Sequence, residues 1–550
     1  MRETDVERWD AETDVIVVGF GAAGGVAAIE AHDAGAEVIL LEKMPFPGGL
    51  SAISAGGIRI AENAGDAFTY LQATCGNRTP DDLLHDLAQG MVDIPEYVRG
   101  LARVSDAQVG VTGAVGNYPF PGCMSLGYCE VTDVPALAAG QRYSATSATT
   151  NGGRLIKVLE DNITHRGIDL RYETAAGELV IGNDGQVRGL IARRAGRAVA
   201  LRAAKAVILT CGGFENNPDM QDQYFQAGAI RPTSFRGNTG DGIAMAQAAG
   251  ADLWHMWHVH GPYALSDPTG EYPFALFHKG IPMWTPGVPG SASDLGIEPE
   301  EAPDASRKPL ARLAWILVDR DGRRFMNEYP PYPGDTGMRP FDQFDPLRQE
   351  FARMPAYMIF DEAGRQMYPM GYAAYNDAEV SFEWSRDNLR EVERGIFHRA
   401  DSLAALAEGI GVPGNRMRET LDAWNAAVSH GQDTVFGRPE NTMVRIDTPP
   451  FYYGEVRPAV INTQGGPRHN VRQEVVTPFG HPIPRLYAAG ELGSVFGHLY
   501  MSGGNLAECI VGGRRAGREA ASLARQVSPP APHGRARHLA CPNQEGTING

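Results

Sequence analysis

Between residues 14 and 42 the chain passes from an apolar run, DVIVV, through the glycine turn GFGAAG into AAIEAHDAG, and then into a second apolar run, AEVILLEK. Short β-branched runs of this kind form buried parallel strands. The segment therefore predicts one strand–helix–strand unit closed by a Gly-x-Gly-x-x-Gly turn. In such a turn Gly19 permits the tight bend, Gly21 lets backbone approach a pyrophosphate and Gly24 lets helix pack close to strand. Ala22 and Ala23 open the helix, whose positive end then faces the phosphates. Glu42 lies 18 residues beyond Gly24, at the end of the second strand, where its carboxylate can accept hydrogen bonds from a ribose, with Lys43 beside it. The unit predicts a dinucleotide site.

The stretch after Glu42 separates FAD from an exchangeable nicotinamide. KMPFPGGLSAISAGGIRI holds two more glycine pairs, Gly48-Gly49 and Gly56-Gly57, with Ser51 among small residues between them. A loop of this kind can thread along an extended cofactor that stays bound, which suits FAD. AVILTCGGF (206–214), with Gly212 and Gly213, reads as strand plus glycine turn, as does RLYAAGELGS (485–494), with Gly490 and Glu491. GNTGDGIAMAQAAGADL (237–253) reads as a glycine turn into an alanine-rich helix, with Asp241 at its start.

A chain of 550 residues exceeds one compact core and predicts two or more domains. The βαβ rhythm holds to residue 253. From 254 to 441, aromatics, prolines and irregular spacing replace it, so an inserted substrate domain is expected there. Residues 442–526 then return to the cofactor domain. Within the insertion, 280–310 reads as an exposed lid-like loop. Residues 401–431 read as a helix pair capped by Asp401 or Ser402. The aperiodic tail 527–550 is expected to be disordered. The net charge of −17 disfavours nucleic acid or an anionic membrane surface as the main partner. Six cysteines without CxxC or zinc spacing, an acidic start and no apolar run of membrane length make a cytoplasmic protein with no transmembrane span the expectation.

In order and spacing, these segments resemble the flavoprotein class that includes succinate dehydrogenase, fumarate reductase and the 3-ketosteroid dehydrogenases, over nearly the whole chain. The resemblance implies an α/β fold: a Rossmann-like FAD-binding domain of the GR2 type with an inserted α+β substrate domain. It also implies that Glu491 holds the ribityl or ribose part. Covalently flavinylated members carry a histidine in the early loop, where this chain has Leu50 and Ser51, so non-covalent FAD is implied.

Within VFGHLYMSGGNLAECIVGGRRAGREAA (495–521), a helix beginning near Asn505 and Leu506, after Gly503, would aim its N-terminus at the flavin. Fumarate reductases keep an arginine just before this GGN and a histidine ahead of the preceding TxGG. Here Tyr500-Met501-Ser502 and Asn462 occupy those regions, which disfavours a dicarboxylate. A tyrosine four residues before a glycine is similar to 3-ketosteroid dehydrogenases, and implies that Tyr500 and the Gly504 N–H grip a substrate carbonyl. Likewise NExxPY in DGRRFMNEYPPYPGD (321–335) implies Tyr332 as base. The Δ1-dehydrogenating members add a relay tyrosine, matched by Tyr118 in GNYPFPG. The Δ4-(5α) members use a YxS motif, matched by Tyr500 and Ser502, and GRRAG (513–517) also resembles that group. The implied substrate is a small hydrophobic ketone, a steroid, with a separate electron acceptor. An enoate or enone reductase running the same steps backwards is the rival reading, although no CxxCH haem motif is present to supply electrons.

Each of these tyrosines has a packing alternative, since buried phenols commonly hold structure together, and Ser502 could serve as a cap. His255, His258 and His260 in WHMWHVHGPY lack the acid or cysteine that would complete a metal site. Lining of the substrate cavity, with Trp254, Trp257 and Tyr263, is expected of them. Arg323 and Arg324 could bind an anion or form a structural ion pair.

Overall fold

The computed structural model describes residues 1–113, 115–137, 150–281, 312–330, 332–376 and 379–526. The strand Ala11–Val18 lies in parallel between Val38–Leu41 and Arg197–Leu209. The sheet extends to Asp169–Arg171 on one side and to Pro482–Ala488 and Glu474–Val476 on the other. Six consecutive residues of the first strand are buried, as expected for a strand covered on both faces. One cover is the pair of helices Ala22–Asp33 and Gly504–Ser522. They touch through backbone: a Cβ at Gly513 would lie 2.7 Å from the Ala23 oxygen, and one at Gly517 would lie 2.5 Å from the Ala27 oxygen. This contact fixes the start of the late helix over the glycine turn.

A second sheet runs Ile316–Val318, Ala356–Asp361, Phe451–Val460, Tyr263–Leu265, Leu276–His278, Gly371–Ala373. It corrects the expected domain limits. Phe451–Val460 is central in it, and Arg231–Pro232 pairs with that same strand. The inserted unit therefore draws on chain before 254 and keeps the segment after 441. The first strand to rejoin the first sheet is Glu474–Val476. Membership here follows from long-range pairing, not from local periodicity. The helix pair is Leu403–Ile410 and Gly414–His430, and Ser402 is its cap, accepting from the Ala405 N–H at 3.2 Å. Most of the loop 280–310 and all of the tail 527–550 lie outside the described residues.

The RRFMNE stretch is structural at its core. Arg324 donates to Glu328 Oε2 at 2.8 Å and to Asp433 Oδ2 at 3.1 Å, and Arg438 reaches Glu328 Oε2 at 3.4 Å. Glu328 and Arg438 are fully buried, and both guanidinium groups lie over the Trp424 ring, at 4.5 and 4.8 Å. Two arginines outweigh the burial that pushes Glu328 up, so its carboxyl sits below the usual range. Removing one member of a buried ion pair strands the other. Glu328→Ala is therefore expected to lower the unfolding free energy by about 3–5 kcal/mol, read from the urea midpoint. A loss below about 1 kcal/mol would show the cluster to be dispensable.

Candidate functional site

A groove opens along the carboxyl ends of the first sheet, the position at which such folds hold their cofactors. The three turn glycines differ in how closely protein crowds them. Gly19 has φ +101°, and a Cβ there would lie 2.6 Å from the Thr210 oxygen. A Cβ at Gly24 would lie 1.8 Å from the Gly19 oxygen. At Gly21 a Cβ would make only ordinary contacts, with Ser51 Oγ at 3.7 Å and the Gly48 oxygen at 3.9 Å, so the protein itself leaves room for a methyl there. Ala22 begins the helix and donates its N–H to Ser51 Oγ at 3.3 Å, and Ala23 also lines the groove.

Glu42 accepts from the Phe20 and Met44 N–H groups, both at 2.8 Å, and lines the same groove. Burial pushes its carboxyl up, against those two donors. Lys43 is held by Thr239 Oγ1 at 2.8 Å and Asp241 Oδ2 at 2.7 Å. Gly49 and Gly212 line the groove as expected, whereas Gly48 packs on Ala52 and Gly56 on Asn151. Gly57 faces Tyr128, and Gly490 lies against Ala23 and Cys509. Glu491 also lines it, accepts from the Thr463 N–H at 3.1 Å and lies beside Glu215, with Gly213 under both carboxyls. Burial and the neighbouring Glu215 carboxylate push Glu491 well up, and burial raises Glu215 as well, so the two titrate as a pair. The groove wall also uses Thr174, Phe235 and Asn238, which the sequence reading did not single out. Glycine backbone at a helix start and a carboxylate lining the groove fit FAD.

At the far end, the turn before the late helix gathers the remaining expected residues. Gly503, with φ +76°, caps that helix, and the Gly504 N–H closes the turn onto the Met501 oxygen at 2.7 Å. The amide expected at a substrate carbonyl is thus engaged within the turn. Burial raises the Tyr500 phenol, and the nearby Asn505 and Gly503 backbone amides act against that rise. Asn505 donates to Glu508 Oε1 at 2.5 Å, and burial pushes that carboxyl up to about 8. Leu506 is buried on the next position of the helix.

The structure brings Tyr118, Tyr332, Tyr500 and Ser502 into one cluster. The Tyr332 hydroxyl lies 3.2 Å from His260 Nε2. Burial raises the Tyr332 phenol well above its ordinary value, as do nearby Tyr500 and Tyr128, against a hydrogen bond with Ser502. The Tyr118 hydroxyl donates to Asp335 Oδ2 at 2.5 Å, and its ring meets Tyr332 edge-on at 6.1 Å. The His260 ring lies 4.2 Å from that of Tyr500.

Three participants were not legible. Asp335 is fully buried and also accepts the Tyr500 N–H, at 3.0 Å. Burial raises its carboxyl, but His258, Arg339 and His260 outweigh this and hold it below the usual range. Arg59, fully buried, donates to the Ser502 oxygen at 2.9 Å and to the Tyr128 hydroxyl at 2.6 Å. Asn117 Oδ1 accepts from Arg59 and from the Ser502 N–H. The signal for Arg59 was a charge between two isoleucines on a strand directly after Gly56-Gly57; Asp335 offered only its place three residues after Tyr332. Of the histidines, His255 is held by the Ser494 oxygen, and His258 by the Phe496 oxygen. No group of three metal-ligating side chains occurs among the described residues. No described helix is long and apolar enough to cross a membrane.

Two substitutions separate fold from cofactor. Gly21→Ala fits the protein and is expected to melt as the wild-type apoprotein does, yet to purify colourless, because its methyl fills the space kept for phosphate. Gly24→Ala is expected to leave no folded protein. Visible absorbance and thermal melts check both, and a yellow Gly21→Ala protein would remove the phosphate assignment.

Comparisons with known proteins agree with this geometry. Residues 14–506 match the family model described as FAD binding domain. The chain is 30% identical over 525 residues to a fumarate reductase (cytochrome) of Shewanella frigidimarina, covering 93% of this chain and 78% of that protein. It is 27% identical over 580 residues to a 3-oxosteroid 1-dehydrogenase of Mycobacterium tuberculosis, covering 89% and 94%. The crystal structure of 3-ketosteroid Δ1-dehydrogenase from Sterolibacterium denitrificans, in complex with 1,4-androstadiene-3,17-dione, shares the fold: TM-score 0.72 at 23% identity, over 93% of this chain and 99% of that one. With the glycine turn, the Glu42 carboxylate lining the groove and the match over residues 14–506, the chain belongs to the FAD-binding-domain family, as an FAD-dependent oxidoreductase of the fumarate reductase and steroid dehydrogenase group.

Proposed function

We propose that the chain desaturates a small hydrophobic cyclic ketone of the 3-ketosteroid type, and passes the electrons to a separate acceptor. The observation that carries this reading is the convergence of Tyr332, Tyr500 and Ser502 in one buried cluster, where fumarate reductases hold carboxylates with cations. Arg59, the cation nearest the turn, is spent on the Ser502 oxygen, Asn117 and Tyr128. The likeness to a 3-oxosteroid 1-dehydrogenase supports the substrate class.

FAD, when bound, supplies the acceptor for the hydride lost from the carbon next to the α-carbon. The chain's own residues do the rest. Burial keeps the Tyr500 phenol protonated, so it can donate that proton to a ketone oxygen. A donor fixed there stabilises the enolate charge that develops as the α-proton departs. Tyr332 receives that proton, and Ser502 orients it. Burial of Tyr332 and Tyr500 keeps water from the enolate. The Tyr500-Met501-Ser502 order supports Δ4-(5α) regiochemistry over Δ1. Because the chain is 30% identical to a fumarate reductase, the reverse reaction, reduction of an uncharged enone, is the second reading.

Anaerobic mixing with a saturated 3-keto-5α-steroid is expected to bleach the flavin and give the 4-ene product. Tyr500→Phe should slow that bleaching by about 10²–10³-fold with FAD content unchanged. Silence with every ketone, together with reoxidation of reduced flavin by an unsaturated acid, would transfer the assignment to an enoate reductase.

A further inference from the structure

A phenol is a poor base at neutral pH, with a reference pKa of about 10. Burial among Tyr500 and Tyr128 makes Tyr332 poorer still. A phenolate is therefore not waiting for the substrate. To take an α-proton, Tyr332 must surrender its own in the same step, and the direction of that transfer is set by its hydrogen-bond partner.

That partner is an imidazole with a fixed tautomer. The short strand Val259–His260 pairs antiparallel with Asn462–Thr463, which sets His260 opposite Asn462. Asn462 Nδ2 donates to the Thr463 oxygen at 3.3 Å and to Asn505 Oδ1 at 3.0 Å. A main-chain carbonyl can only accept, so the amide nitrogen faces it and Oδ1 faces His260 Nδ1, 2.9 Å away. Nδ1 therefore carries the hydrogen, and Nε2 presents its lone pair to the Tyr332 hydroxyl at 3.2 Å.

We infer that His260 is the proton acceptor behind Tyr332, so that the two side chains act as one base. The inference rests on the reading of Tyr332 as the residue that meets the α-proton. As the C–H bond breaks, its proton goes to the Tyr332 oxygen and the phenolic proton goes to His260 Nε2. The bonding electron pair stays on the substrate as an enolate, its oxygen held by Tyr500. A neutral ketone and a neutral imidazole thus become an enolate and an imidazolium.

The surroundings suit both states. Burial lowers His260 to about 4, so the ring is unprotonated at neutral pH. Once charged, it faces the buried Asp335 carboxylate, whose Oδ1 has no hydrogen-bond partner among the described residues. His258 opposes the charge, and it lies 3.6 Å from that same Asp335 oxygen, with Arg339 at 3.7 Å. The Tyr500 ring lies tilted against that of His260, 4.2 Å away, without offering it a charge. Asp335 is the counter-ion, and His260 is a positioning residue that works through Tyr332.

The test isolates proton removal from oxidation. FAD-loaded enzyme is held reduced in D₂O, and deuterium uptake at the α-carbons of 5α-androstane-3,17-dione is followed by mass spectrometry. Wild type is expected to exchange, and His260→Gln to exchange about 10²–10⁴-fold more slowly with ketone affinity unchanged. Equal exchange in the two proteins overturns the role of His260 alone. No exchange in wild type sinks the ketone reading, and this inference with it. Should His260→Gln not fold, ¹⁵N-histidine spectra decide. A resonance at an unprotonated Nε2 that moves in Tyr332→Phe is expected, and an Nε2-protonated ring overturns the inference.

Discussion

One buried carboxylate oxygen ties the reacting residues together. Asp335 Oδ2 accepts both the Tyr118 hydroxyl and the Tyr500 N–H, joining a loop of the first domain, the inserted unit and the turn before the late helix. A buried charge of this kind is costly unless it is answered. The answer comes from His258 and Arg339, themselves fixed by the carbonyls of Phe496 and His498. Three distant segments therefore cannot shift independently. The relative placement of the tyrosines follows from that constraint more than from packing of their rings.

Local chemistry made the cofactor half readable. The run DVIVV, the glycine spacing and the acid at 42 are all set within one strand–helix–strand unit, where Gly19 and Gly24 pack too closely for any side chain. The boundary at 441 was not readable, because FYYGEVRPAV looks the same whichever sheet claims it, and only pairing with Ala356–Asp361 and Tyr263–Leu265 decides. Gly504 illustrates a finer limit. Sequence places a glycine amide near the flavin, but which of three successive N–H groups is free depends on the left-handed Gly503 closing the turn. Asp335, Arg59 and Glu215 were silent for a related reason. A charged residue in a loop or an alternating strand looks solvated until tertiary structure encloses it.

The buried arginine of the cluster is committed to a carbonyl, a side-chain amide and a phenol. On the proposed reading, neutral donors at a developing oxyanion would act without attracting a charged ground state. The groove for the cofactor carries no such discrimination. Its cradle, its Glu42 and its Lys43–Asp241 pair would serve either reaction.

Glu328 has one more effect. The loop bearing Tyr332 is gripped four residues upstream, by Arg324, Arg438 and the Trp424 face, so its stability resides in that grip and not in the phenol. Position 332 behaves as a socket on a rigid mount. A different proton-handling side chain could be fitted there without remaking the mount, and one scaffold could pass between neighbouring chemistries by single exchanges at its rim.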